Sequence, residues 1–261
     1  MNLIDTHAHL YLEEFNTDRE QVIRNAIRSG VKHILCPNID SQSIDSMERL
    51  CNSYPDLCLP MMGLHPTSVK EDYKAELEII QNKLFGEDHK KYIAIGEIGI
   101  DLYWDQTFYT QQIEAFSQQL IWATEMKLPV AIHTRNSFDQ TMEVLNDFEG
   151  TTGVFHCFSG DVTQAEKAVA KGFSLGIGGV VTFKNSGLDK VVQAIDLSKI
   201  IIETDAPFLA PMPFRGKRNE SAYVTLVAQK IAVLKNCSFE EVCIKTTNNA
   251  SKLFNLADQT P

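Results

Sequence analysis

The stretch Leu3–Leu10 reads LIDTHAHL. An apolar run ends in two histidines, His7 and His9, one residue apart. Side chains two apart on a strand point the same way, so both imidazoles project from one side of the strand's end. Similar units recur along the chain. Short apolar runs stand at Leu3–Thr6, Val31–Cys36, Cys58–Met62, Tyr92–Gly96, Pro129–Ile132, Gly153–Phe155, Phe173–Ile177 and Lys199–Ile202. Each precedes a longer segment of helical period.

Cap signals mark the helices. Asn16-x-x-Arg19 opens one, with Asp18 and Glu20 in its first turn, and Ser29-Gly30 closes it. Ser41 begins the next. A long one runs from Thr107 or Phe108 to about Lys127, before Pro129. Asp161 caps VTQAEKAVAKG, and Ser238-x-x-Glu241 has capping-box spacing ahead of the last helix. Strand and helix alternating eight times imply parallel pairing with right-handed crossovers. Eight units in roughly 250 residues predict a (β/α)8 TIM barrel, as a single domain over 1–261. A doubly wound open sheet is the alternative.

The 261 residues carry 24 Lys+Arg against 34 Asp+Glu, a formal net charge of -10. That balance excludes a general phosphate-backbone binder; nucleic acid would need a local cationic patch or a metal. The sequence shows no signal-peptide pattern and no run of about 18 apolar residues, so a cytoplasmic protein is expected. The six cysteines form no C-x-x-C pair and read as reduced thiols.

The residues that end the runs carry the chemistry. They are His7 and His9; His65 in GLHP; Glu97 in GEIG; His133 and Arg135 in AIHTR; His156 and Ser159 in VFHCFSG; and Glu203 and Asp205 in IIETDAP. A barrel opens all strand C-termini on one face, where active sites sit. Five imidazoles, Glu97 and Asp205 would therefore converge as a metal site. Only His33 and His89 fall elsewhere. Taken singly, each has an ordinary structural reading: a hydrogen-bonded histidine, a solvated carboxylate, a capped turn.

Together, DTHAHL, GLHP, IGEIGID, PVAIHTR, FHCFSG, ETDAP and RGKRNE resemble the TatD family of metal-dependent deoxyribonucleases and hydrolases, in order and over nearly the whole chain. The resemblance implies a TIM barrel holding two divalent ions (Mg2+, Mn2+ or Zn2+) on His7, His9, Glu97, His133, His156 and Asp205. His7, His9 and Asp205 would hold one ion, His133 and His156 the other, with Glu97 between them. It implies a deoxyribonuclease of 3'-5' exonuclease character acting on single-stranded or frayed DNA, with no obligate protein partner and no membrane.

Two ions can hold the attacking and leaving oxygens of a phosphodiester displacement. Asp205 is the expected general base, and Glu203 is expected to hydrogen-bond a ligand imidazole. His65 would touch the scissile phosphate or protonate the leaving oxygen. Arg215, Lys217 and Arg218 form a cationic cluster for phosphates, with Arg135 and Ser159 as weaker candidates. Tyr103, Trp104 and Phe108 in DLYWDQTF either stack an unpaired base or close the rim. Gly176, Gly178 and Gly179 either cradle phosphate or allow close packing. The alternatives to a nuclease are an amidohydrolase or lactonase acting on a small metabolite, and a metal-stabilised scaffold.

Overall fold

A computed structural model describes residues 2–87 and 91–256; His89 lies outside them. Among the described residues eight strands alternate with helices: β1 Leu3–Asp5, β2 Val31–Pro37, β3 Cys58–Met61, β4 Ile95–Asp101, β5 Val130–Arg135, β6 Gly153–Phe155, β7 Ser174–Ile177 and β8 Ile200–Ile202. The helices are α1 Arg19–Arg28, α2 Ile44–Ser53, α3 Tyr73–Leu84, α4 Tyr109–Met126, α5 Phe138–Leu145, α6 Val162–Ala170, α7 Leu188–Ala194, α8 Val224–Lys235 and α9 Phe239–Leu253. No helix is long and apolar enough among the described residues to cross a membrane.

All pairings are parallel, in sheets of order β1-β2-β3 and β4-β5-β6-β7-β8. Hydrogen bonds join the sheets at both edges. Gly96 N–H donates to Met62 O at 3.0 Å on one side; Thr6 N–H donates to Ile202 O at 3.1 Å on the other. The second seam is tightened by buried Asp5, whose carboxylate accepts from the Thr204 N–H at 2.8 Å and the Thr204 hydroxyl at 2.6 Å. Burial pushes Asp5 up to about 7, against the hydrogen bonds from Ser221 and Thr204.

The strands read as continuous apolar runs because both faces are covered. Alternate residues serve two layers. Ile4, Leu35, Met61, Ala131, Val154 and Ile201 pack together on one face and against Phe254, which follows α9. Leu3, Ile34, Ile98, Ile132, Phe155 and Ile202 face the helices, meeting side chains such as Val22, Ile80, Phe116 and Ile231.

The cap chemistry mostly follows the sequence. Asp161 and Gln164 form a reciprocal capping box at α6, and the Ser238 hydroxyl accepts from the Glu241 N–H at 3.0 Å. Lys127 ends α4 in the left-handed region. Ser41 does not cap α2: its hydroxyl donates to Glu76, and the helix begins at Ile44. Two strands are longer than the apolar runs implied. Strand β4 runs through Glu97 to Asp101, and β5 runs through His133 to Arg135, with Gly99 opposite His133 and Asp101 opposite Arg135. Glu97, Asp101 and His133 continue these strands because each finds a partner in the site.

Candidate metal centre

The strand ends bring the expected ligands together. His7 and His9 follow β1 with their Nε2 atoms 3.2 Å apart. Glu97 projects from β4 between two groups of rings. Its Oε2 lies 3.1 Å from His7 Nε2 and 3.5 Å from His9 Nε2. Its Oε1 lies 2.9 Å from His133 Nδ1, 2.8 Å from His156 Nε2 and 3.2 Å from His65 Nε2. Asp205 Oδ1 stands 3.9 and 3.7 Å from the Nε2 atoms of His7 and His9. Asp205 follows β8 in the left-handed region (φ 59°), a conformation that Asp tolerates and that recurs at functional sites.

Ligand-competent atoms group as His7–His9–Glu97, His7–His156–Asp205 and His65–Glu97–His133. The grouping departs from the expected partition. His156 falls with His7 and Asp205, its ring stacked on His7 at 3.7 Å. His65, given no place among the ligands by sequence, stands beside Glu97 and His133.

The outward nitrogens show what the inward ones are for. His9 Nδ1 is 2.9 Å from the Tyr11 hydroxyl, which donates to Pro37 O at 2.6 Å and so accepts from the imidazole. His133 Nε2 is 2.8 Å from Asp101 Oδ2, and His156 Nδ1 is 3.3 Å from Glu203 Oε1. His9 and His133 thus have a hydrogen-bond acceptor on the outer nitrogen, which keeps a proton there and leaves the inner nitrogen as the one that can give a lone pair to a cation; Glu203 faces the outer nitrogen of His156 without a hydrogen bond. The donor set of imidazoles and carboxylates, grouped around one carboxylate, fits divalent cations.

His65 is wired the other way. Its Nδ1 accepts from the Thr67 N–H at 3.1 Å, so a neutral ring carries its proton on Nε2, facing the site. Burial holds His65 below the usual imidazole range.

The charges are strongly coupled. Burial pushes Glu97 up, but His156, His65 and His7 outweigh it and hold the carboxyl well below its usual range. Burial opposes charge on His156, yet Glu97 and Glu203 raise it well above normal. His133 is raised against burial by Asp101 and Glu97. Burial, reinforced by His156, drives His7 well below normal. Asp205 is pushed up to about 6 by burial, against the charges of His156 and His9. A cation would compete with the protons that Glu97 now draws onto the rings.

Two glycines allow the close approaches, one of a strand backbone and one of a carboxylate. At Gly99 a Cβ would lie 2.0 Å from the His133 carbonyl oxygen, and φ is +142°. At Gly176 a Cβ would lie 2.4 Å from Glu203 Oε2. Gly176 therefore makes room for the carboxylate that orients His156. Gly179 packs on the Leu209–Pro211 backbone. These are close-packing roles, the second of the two readings open for this stretch.

Glu203 is fully buried and accepts the Cys157 N–H, as well as facing His156. Asp101 and Tyr11 have the same kind of role, although the sequence reading did not assign it to them. Asp101 keeps the two-residue alternation of Glu97, and Tyr11 that of His7 and His9. That spacing was the available signal.

The cationic loop divides. The Arg218 guanidinium is committed to Asp18, at 2.8 and 2.6 Å, and to Glu14 O at 2.6 Å. The expectation that it grips phosphate is corrected: its donors fasten the loop after β8 to the segment before α1. Arg215 lies 4.5 Å over the Phe183 ring and is exposed, as is Lys217. Ser159 and Arg135 are exposed too. Arg218→Ala is expected to cost about 1 kcal/mol, lowering Tm by roughly 2–4 °C, with KM for an oligonucleotide unchanged. Thermal melts beside steady-state kinetics check this.

The family model described as TatD related DNase matches residues 4–255. The chain is 39% identical to the uncharacterized metal-dependent hydrolase YabD of Bacillus subtilis, covering 97% of this chain and 99% of that one. It is 29% identical to the 3'-5' ssDNA/RNA exonuclease TatD of Erwinia tasmaniensis, covering 97% and 100%. The crystal structure of YjjV, a TatD homologue from Escherichia coli, superposes with a TM-score of 0.91 at 30% identity, covering 97% and 98%. The match spans every strand end that carries a ligand-competent side chain, and the chain belongs to the TatD-related DNase family of metal-dependent hydrolases.

Proposed function

We propose that the two sheets close into one (β/α)8 barrel and that the cluster at its strand ends hydrolyses phosphodiesters at nucleic-acid 3' ends. The substrate is DNA, single-stranded or frayed, and two divalent cations (Mg2+, Mn2+ or Zn2+) are held by His7, His9, Glu97, His133, His156 and Asp205. The observation that carries the reading is the convergence of five imidazole nitrogens on Glu97, with outer acceptors on His9 and His133 that turn the other nitrogen of each ring toward the site.

Bound there, divalent cations would supply charge to a phosphoryl oxygen and acidify water. The chain's own groups do the rest. Asp205, 13% exposed at its side chain, is reached by water and takes the proton of the attacking molecule. As the water oxygen bonds to phosphorus, the ester P–O bond breaks. His65 Nε2–H donates a hydrogen bond to the leaving oxygen, which takes its proton from solvent. Exposed Arg215 and Lys217 draw in the strand. Asp101, Tyr11 and Glu203 hold three rings in place.

Digestion of end-labelled single- and double-stranded DNA, beside lactones and simple phosphate esters, tests this. Single nucleotides released from the 3' end support the reading; turnover of a lactone with intact DNA sinks it. Chelation is expected to abolish activity and to lower Tm, with recovery of both on adding Mg2+, Mn2+ or Zn2+. Full activity after exhaustive chelation would remove the cations from the chemistry.

A further inference from the structure

Beside the metal centre, the loop after β4 displays two aromatic rings that the core does not use. Trp104 is 71% exposed and Tyr103 51%. Their rings meet edge to face at 4.8 Å and 88°. The Arg135 guanidinium lies 3.7 Å over Tyr103 and 5.2 Å from the Trp104 ring.

The group is fastened to the site. Arg135 is two residues beyond His133 on β5, so both side chains leave the same face. Asp101, whose Oδ2 meets His133 Nε2, also accepts the Tyr103 N–H at 2.9 Å and the Trp104 N–H at 3.4 Å through Oδ1. The far end of the loop is held as well: Lys70 meets Asp105 at 3.6 Å, and Asp105 accepts the Thr107 N–H at 2.9 Å. Two large rings are thus held in place and in water, with a guanidinium against them.

Resting on the nuclease reading above, the geometry points to a stacking platform of Tyr103, Trp104 and Arg135 that holds an unpaired nucleobase next to the scissile phosphate. The chemistry of the three groups selects that occupant. Aromatic faces take any base by stacking, and the guanidinium adds a cation-π contact while facing the phosphate backbone. A base held in a duplex keeps both faces covered by its neighbours. The platform therefore favours frayed or single-stranded ends.

The test uses the full chain with added Mn2+ and two oligonucleotides. One is ordinary; the other has an abasic residue beside the scissile phosphate. Wild-type protein is expected to show a KM about tenfold or more lower for the strand with its base. Trp104→Ala is expected to erase that preference, and Trp104→Phe to restore most of it. Trp104 is exposed, so an unchanged Tm is expected for both variants. The same pair built as RNA tells which kind of strand supplies the base. Loss of the preference in either strand type supports the platform; its retention in both, in Trp104→Ala, overturns it. If wild-type protein cleaves neither ordinary strand, the nuclease reading falls and the platform with it.

Discussion

Glu97→Ala is expected to lose the proposed cation pair and at least about 10³-fold in turnover. Five imidazoles stand around this one carboxylate, three on Oε1 and two on Oε2, all within 3.5 Å. Among the described residues no other acid reaches both groups: Asp205 faces His7 and His9, and Asp101 faces His133 from outside. Without Glu97, two nearby cations would repel with no anion between them. Several kcal/mol of charge stabilisation would be lost, which corresponds to about 10³-fold or more in rate. Glu97→Gln keeps the shape and removes the charge, so it separates charge from packing. Elemental analysis of metal content, beside kcat, checks both variants. Two ions and full activity in either would contradict the bridging role.

Asp205→Asn is expected to leave the protein folded and to cut turnover by about 10²–10⁴-fold. The amide still fits its place after β8 but cannot take a proton. The pH profile provides a second readout. Burial raises Asp205 to about 6 in the metal-free site. Nearby cations favour the ionised form and move it lower. Because the proposed base must be ionised, wild-type activity should fall as pH drops through a value below about 6. The residual activity of Asp205→Asn should lack that acid limb. Wild-type rates, or an unchanged limb, would remove Asp205 from the base role.

The sequence carried the strands because their burial on both faces writes continuous apolar runs. It carried the residues that converge on Glu97 because each ends or extends such a run. Residues whose role depends on a partner far along the chain were less legible. Arg218 looked like a phosphate contact because three cations share its loop; only folding shows Asp18, 200 residues away, taking its guanidinium. Asp5 stands just before the histidine pair, yet nothing local announces Thr204 as its partner. Asp101 and Tyr11 are intermediate cases. Their even spacing from Glu97 and His9 fixes which way they point, but only the structure shows a histidine nitrogen in reach. The placement of Glu203 facing His156 was legible for the same geometric reason, two residues before Asp205. The glycine that makes room for it, Gly176, was an open choice until β7 and β8 paired.

Anomalous diffraction from crystals soaked in Mn2+ or Zn2+ tests the central claim most directly. Two peaks are predicted, within bonding distance of the inner nitrogens of His7, His9, His133 and His156 and the carboxylates of Glu97 and Asp205. An ion-free cluster in a crystal that binds the soaked metal elsewhere would contradict the account.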